Sequence, residues 1–310
     1  MQVFVTGGTG LIGSRLIHRL LTRGDRPVVL TRRYAAARQM MGPECKIVEG
    51  DPMKPGDWQD AAADCDAVVN LAGENLFKHR WNAAFKALMT DSRIQSTRNV
   101  VAALARKPNR GDGQRKTLVN ASAIGYYGPH GDEELTEDSP AASDYLARLC
   151  VDWEQAARAV ESSGVRCALV RIGIVLDKEG GALAQLLTPF RMGAGGPVAG
   201  GKQWMSWIHH EDMTGVLLLA LDNPEAVGPL NGTAPNPATN RDFSTALGKA
   251  LHRPSFFPTP RFVLRAMLGE SADVVATGQR VLPKRTLSLG YQYKFPHIDA
   301  ALEDIVGKKT

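Results

Sequence analysis

An apolar run, Val3-Phe4-Val5-Thr6, passes directly into Gly7-Gly8-Thr9-Gly10-Leu11-Ile12-Gly13, which sets glycines at 7, 10 and 13. Leu16, Ile17, Leu20 and Leu21 follow at helical spacing and share one face. Strand, glycine turn and helix in this order are what a dinucleotide pyrophosphate requires. One glycine permits the tight turn, one lets the backbone approach the phosphates, and one lets the helix pack close to the strand. The helix N-terminus then offers free N–H groups and the positive end of its dipole to the anion. The expected cradle is therefore Gly7, Thr9, Gly10, Leu11, Ile12 and Gly13.

The same alternation continues through residue 176. Strand patterns fall at 2–6, 27–31, 45–49, 66–71, 116–122 and 166–175. Helical patterns fit at 11–23, 81–106 and 144–163, with shorter ones at 34–41 and 57–62. This predicts an α/β fold with a doubly wound parallel sheet, a Rossmann-type dinucleotide-binding core over residues 1–176. Beyond Leu176 the character changes. Glycine and proline cluster at 193–201 and 228–237, and Pro254, Pro258 and Pro260 break the next stretch. A smaller C-terminal lobe over 177–310 is expected, with helices near 211–222, 241–251, 260–268 and 298–306, and with 204–222 returning to the core.

Composition excludes other classes. Of 310 residues, 44% are hydrophobic and 22% charged, the balance of an ordinary globular protein with a sizeable core. The net charge of +5 is spread without a run of five or six Lys/Arg, which argues against nucleic acid as a partner. No apolar run reaches membrane-spanning length, so no membrane partner is expected. Cys45, Cys65, Cys150 and Cys167 show no metal-ligand spacing and sit in apolar stretches. Buried free thiols in a reducing compartment, the cytoplasm, are the reading, with no metal site. The expected partner is a small-molecule substrate; an oligomer is compatible with the sequence but not indicated by it.

The end of the second strand distinguishes cofactors. A carboxylate there suits the ribose hydroxyl of NAD, whereas arginine suits the extra phosphate of NADP. This chain has Thr31-Arg32-Arg33, and two guanidinium groups can hold a phosphate by charge-assisted, bidentate bonds. NADP(H) is the expected cofactor. Asp51, ending the third strand, is placed to meet the adenine amino group. Leu71, Ala72 and Gly73, ending the fourth, are placed to lie along the cofactor.

Those residues, with Asn70 to Asn75, Arg80-Trp81, Ser92-Arg93 and Ser122-Ala123-Ile124-Gly125-Tyr126-Tyr127-Gly128, carry a family resemblance. So do Trp153-Glu154, Pro189-Phe190-Arg191, Gly195-Gly196-Pro197, Gln203-Trp204, Ser206 to His209 and Asn231 to Pro235. Over nearly its whole length the chain resembles extended, atypical short-chain dehydrogenase/reductases, and within them the YfcH-like epimerase family. The resemblance implies an NADP-binding core, cofactor contacts from Thr31, Arg32, Leu71, Ala72 and Arg93, and no defined substrate.

The wider superfamily uses a Tyr, a Lys four residues later on the same helix, and a Ser or Thr at the end of the fifth strand. Positions i and i+4 share a helix face, so the ammonium lowers the phenol's pKa from about 10. Here Tyr145 is followed at i+4 by Leu149, with Arg148 at i+3. The usual hydroxyl position falls on Ala123, and Ser122 precedes it on the opposite strand face. A bend at Gly125 would restore Ser122. The candidate catalytic set is therefore Ser122, Tyr126, Tyr127 and Tyr145, with Tyr145 read equally as a packing residue. Glu74, Arg191, Trp204 and His209 are candidate substrate contacts, His209 being read also as a hydrogen-bonding anchor for the helix that follows. The function these residues imply is an NADP(H)-binding oxidoreductase or epimerase-like enzyme acting on a small carbonyl or sugar-like substrate. The alternative is an NADP(H)-binding sensor or scaffold that has lost turnover.

Overall fold

A computed structural model describes residues 1–307; Lys308, Lys309 and Thr310, the end of the expected lobe, lie outside the described residues. The strands are β1 (Gln2–Thr6), β2 (Arg26–Thr31), β3 (Lys46–Glu49), β4 (Ala67–Asn70), β5 (Thr117–Ala123), β6 (Glu134–Leu135) and β7 (Arg166–Ile172). They continue as β8 (Ile174–Leu176), β9 (Trp204–Met205), β10 (Trp207–His209), β11 (Gly228–Gly232), β12 (Ala238–Thr239) and β13 (Arg280–Val281). The helices are α1 (Leu11–Thr22), α2 (Tyr34–Met41), α3 (Trp58–Ala63), α4 (Ala83–Arg106), α5 (Tyr145–Arg158) and α6 (Gly181–Arg191). The second half adds α7 (His210–Asp222), α8 (Asn240–Leu251), α9 (Arg261–Leu268), α10 (Ala272–Ala276), α11 (Lys284–Ser288) and α12 (Ile298–Val306).

Seven strands form one sheet in the order β11-β7-β5-β4-β1-β2-β3, and every pairing in it is parallel. Val3, Phe4 and Val5 of the central strand are all fully buried, because helices cover both faces. Alternation along β1 divides them. Val3 and Val5 pack with Leu16 and Leu20 of α1 and with Val216 and Leu217 of α7. Phe4 packs on the other face with Val100 and Leu104 of α4 and stacks on Trp58 of α3 at 5.9 Å. The strand order reverses between β1 and β4, and open α/β sheets hold ligands at that crevice.

Two segments behave differently from the sequence expectation. The expected strand 166–175 divides at Gly173 into β7 and β8, which enter different sheets. A side chain at 173 would lie 2.5 Å from Ser206 O, so the backbones cross there at a distance only glycine allows. The chain also re-enters the main sheet beyond 204–222. β11, from the stretch whose Gly and Pro read as irregular, is the seventh strand. Its outer edge is occupied: Asn231 N donates to Glu137 Oε1 (2.9 Å), and Thr286 Oγ1 donates to Asn231 O (3.1 Å). The second lobe has its own core, built from Leu183, Leu187 and Phe190 of α6, Phe243 and Leu247 of α8, and Leu302 of α12.

Candidate functional site

The turn after β1 and the segment after β4 meet at the carboxyl edge of the sheet. Gly7 has φ +66°, and a Cβ on it would lie 2.6 Å from Leu71 O, so the two backbones touch. A buried polar ladder fixes that meeting. Thr6 Oγ1 donates to Asn70 Oδ1 (2.6 Å) and accepts from Ala72 N (3.2 Å). Asn70 Nδ2 donates to Asn120 Oδ1 (2.6 Å) and Thr97 Oγ1 (2.9 Å), and Trp153 Nε1 donates to Thr97 Oγ1 (2.9 Å). Neighbouring strand ends and helices α4 and α5 are thereby held in one frame.

The frame encloses a cleft. Gly7, Gly10, Leu11, Ile12 and Gly13 line it from the turn, and Leu71, Gly73 and Arg93 from the β4 side. Ala121, Ser122, Ala123, Trp153 and Ile172 close its inner wall. Gly10 caps α1 without a side-chain bond, and the first turn of α1 carries no acidic residue. The N–H groups of Leu11, Ile12 and Gly13 have no intrahelical acceptor, and these three residues line the cleft. Arg93 lies opposite, donating to Met89 O (3.1 Å) and Glu74 O (3.0 Å), with its guanidinium 5.2 Å from the Trp153 ring centre. Burial pushes its pKa below the usual arginine value, and no carboxylate forms an ion pair with it among the described residues. A guanidinium has five N–H donors, so most of Arg93's capacity is left for a ligand.

Thr9, Arg32 and Arg33 are exposed beside this cleft, and Thr31 Oγ1 accepts from Arg33 N (3.1 Å) to shape the end of β2. Neither Arg32 nor Arg33 has an ion-pair partner among the described residues. Asp51 accepts from Met53 N (3.0 Å) in a turn after β3. Ala72 is buried beneath the ladder. Glu74 holds Lys78 at 3.2 Å and donates its backbone N–H to Ser92 Oγ (3.0 Å).

Of the catalytic candidates, Ser122, Tyr126 and Tyr127 gather around one buried ion pair, and Tyr145 stands apart. Ser122 Oγ donates to Glu154 Oε1 (2.7 Å), a carboxylate that also accepts from Arg171 Nε (2.8 Å) and Nη2 (3.0 Å). Arg171 Nη1 donates to the Tyr127 hydroxyl (2.9 Å), which donates to Asn231 Oδ1 (2.7 Å). Tyr127 is fully buried in this network and burial pushes its phenol up to about 12, so it is a packing tyrosine rather than a cleft acid. Tyr126 lies with its ring 3.5 Å from the Arg171 guanidinium, outside the cleft lining. Tyr145 is outside the cleft lining and donates to Lys86 O (2.8 Å) on α4.

The register of α5 explains this. Asp144 caps the helix through Leu146 N (2.9 Å) and Ala147 N (3.2 Å), and the face turned to β5 then carries Leu146, Cys150 and Glu154. A Cβ on Gly125 would touch Leu146 Cβ at 3.5 Å and Cys150 Sγ at 3.9 Å. Leu146 and Cys150 are thus taken up by contact with the turn after β5, and the α5 side chain that lines the cleft is Trp153, four residues beyond Leu149. Burial raises the Cys150 thiol to about 12, so it does not ionise at neutral pH.

In the second lobe Arg191 is exposed at the end of α6, with its carbonyl accepting from Arg253 Nε (3.0 Å). Trp204 donates to Asp132 Oδ1 (2.8 Å) and lies under Arg280 at 4.8 Å. His209 is fully buried; its Nδ1 accepts from Glu211 N (3.1 Å) and caps α7, and its ring lies 3.9 Å from Phe295. None of the three lines the cleft. Burial and His210 lower the His209 pKa from 6.5 to about 4, outweighing Asp304 at 3.3 Å. The unfolded chain takes up this proton near 6.5 and the folded chain only near 4, so stability is lost as pH falls across that window. His209→Asn, which keeps a capping oxygen, is expected to flatten the fall in urea midpoint between pH 7 and pH 5; an unchanged slope would remove His209 as its source.

A parallel sheet with this strand order, a glycine turn at its reversal and an anion-ready helix end define a Rossmann dinucleotide-binding fold. The chain belongs to the NAD dependent epimerase/dehydratase family, whose pattern matches residues 3–231; residues 259–305 match a domain of unknown function, DUF1731. It is 42% identical to the Arabidopsis thaliana epimerase family protein SDR39U1 homolog, chloroplastic, across 99% of this chain and 87% of that one. It is 38% identical to human epimerase family protein SDR39U1 across 99% of this chain and 100% of the other. The crystal structure of human SDR39U1 (isoform 2) with NADPH superposes with a TM-score of 0.87 at 38% identity, covering 99% of each chain. No helix among the described residues is long and apolar enough to cross a membrane.

Proposed function

We propose that the chain binds NADP(H) in this cleft and acts as an oxidoreductase or epimerase-like enzyme on a small carbonyl or sugar-like substrate held between the sheet edge and the second lobe. The observation that carries the reading is the convergence, in one cleft, of three free N–H groups of α1 and the Arg93 guanidinium, which has no carboxylate partner among the described residues. Arg32 and Arg33, with Thr31, hold the 2′-phosphate; Asp51 meets the adenine amino group; Leu71 to Gly73 lie along the ribose and nicotinamide. The cofactor, when bound, supplies the hydride chemistry. The NADPH in the human relative's crystal structure supports the choice of cofactor. Four buried free thiols suit a reducing compartment such as the cytoplasm.

The test is a fluorescence titration. The double variant Arg32→Ala/Arg33→Ala is expected to weaken NADPH about 10- to 100-fold, as loss of charge-assisted bonds implies, and to leave NADH nearly unchanged. Equal weakening of both would sink the assignment to NADP. Arg93→Gln is expected to weaken both cofactors alike, by about tenfold or more.

A second reading has one observation in its favour. Trp153, the α5 side chain that lines the cleft, is an indole with no proton to exchange at neutral pH, and Tyr126, Tyr127 and Tyr145 stand outside the lining. On that reading the chain senses the NADP(H) pool without turning over. Tight NADPH binding with no hydride transfer to any of a panel of aldehydes, ketones and sugar nucleotides would decide for it.

A further inference from the structure

The four most exposed large apolar side chains among the described residues are Phe262 (74%), Met192 (72%), Phe256 (69%) and Met267 (67%). All four belong to two segments of the second lobe. The segments run side by side: Phe257 N donates to Gly195 O (3.2 Å), Thr259 N to Pro197 O (3.0 Å) and Ala199 N to Thr259 O (2.9 Å). Arg253 Nε reaches Arg191 O (3.0 Å), and the rings of Phe256 and Phe257 lie 4.6 Å apart. Helix α9 follows. Its Leu264 packs inward with Val198 and Ala272, and Phe262 and Arg265 are left outside.

Charge on these segments has one sign. Residues 180–210 and 243–269 contain Arg191, Lys202, Lys249, Arg253, Arg261 and Arg265 and not a single Asp or Glu. Among the described residues, carboxylates from neighbouring elements reach only two of them: Asp273 pairs with Arg261 at 2.8 Å, and Asp299 stands 4.0 Å from Lys249. Arg191, Arg253 and Arg265 have no ion-pair partner among the described residues. The net charge of the whole chain, being spread along the sequence, conceals this local bias.

We propose that this face docks the protein onto an anionic lipid surface, with the Phe and Met side chains entering the headgroup layer and the arginines meeting lipid phosphates. Charge complementarity selects the occupant. A second copy of the same face would set arginine against arginine, which like-charge repulsion opposes. The apolar side chains project outward, and a deformable interface surrounds projecting side chains while attracting the cations beside them. No spanning segment is needed. The association is peripheral and independent of the cleft's function.

Co-sedimentation of the full chain with vesicles tests it. Vesicles of phosphatidylcholine with about one-third phosphatidylglycerol are expected to pull the protein down, pure phosphatidylcholine vesicles are not, and salt of about 1 M is expected to release it. Arg253→Glu/Arg265→Glu and, separately, Phe256→Ser/Phe262→Ser are each expected to lower binding about thirtyfold or more, with NADPH affinity and circular dichroism unchanged to show that the fold is intact. Equal binding to both vesicle types, or none to either, would overturn the proposal. So would a concentration-dependent dimer by light scattering that both double variants dissociate, since the face would then be a protein interface.

Discussion

Arg171→Ala is expected to lower the free energy of unfolding by about 3–5 kcal/mol, read from urea or guanidinium denaturation at neutral pH. Arg171 is 2% exposed and its partner Glu154 is 4% exposed. Burial by itself would lower the Arg171 pKa, but the hydrogen bonds and charge of Glu154 overrule it and hold it above the usual value. Removing the guanidinium leaves the Glu154 carboxylate in an apolar enclosure with only Ser122 Oγ as a donor, and takes one donor from the Tyr127 hydroxyl. The damage comes from the charge left behind, which sets a second expectation. Arg171→Met/Glu154→Leu, which removes both charges and keeps the bulk, is expected to cost far less than the single substitution. If the double variant is as unstable as Arg171→Ala, the ion pair is not the source of the loss.

Gly13→Ala is expected to weaken NADPH binding about 100-fold. A Cβ there would lie 2.7 Å from Gly8 Cα and closer still to Gly7 O, so α1 must move off the turn. Its three unpaired N–H groups would move with it, and the cleft would lose its anion site at a displacement of the order of an ångström. Overpacking is also expected to cost about 1–3 kcal/mol of stability. Gly111→Ala is the comparison, because nothing lies within 4 Å of a Cβ at that position. It is expected to change stability by about 0.5 kcal/mol at most and to leave affinity alone. NADPH binding by Gly13→Ala at the parent affinity would show that close approach of α1 to the turn is not what creates the site.

The core elements were legible because burial on both faces writes itself into sequence. Val3 to Val5 and Val28 to Leu30, short β-branched runs bounded by turn residues, read as buried strands, and 11–23, 34–41 and 298–306 carry helical spacing that the structure reproduces to within a residue. β11 was not legible. Gly228-Pro229-Leu230-Asn231-Gly232 has the composition of a turn, and its strand conformation comes from pairing with β7, which local sequence does not encode. Helix α6 was missed for a similar reason, since Gly180, Gly181 and Pro189 all read as breakers.

At the site, spacing identified which residues share a helix face but not what each face meets. Tyr145 and Leu149 share one; Leu146, Cys150 and Glu154 share the one that meets β5. The signal was present in Trp153-Glu154. A carboxylate bound to a buried arginine has to face the sheet, and counting back four and eight residues from Glu154 gives Cys150 and Leu146.

The outer edge of β11 has one further consequence. A strand at the rim of a sheet presents a row of unsatisfied N–H and C=O groups that can template the addition of a strand from another molecule. Here Pro229 removes one donor from the row, and Glu137 and Thr286 cover the two polar groups of Asn231. Asn231 Nδ2 itself donates to Leu282 O (2.9 Å), which ties the covering segment down. Residues 280–288 therefore act as a guard against edge-to-edge aggregation. Loosening them would endanger solubility before it disturbed the cleft.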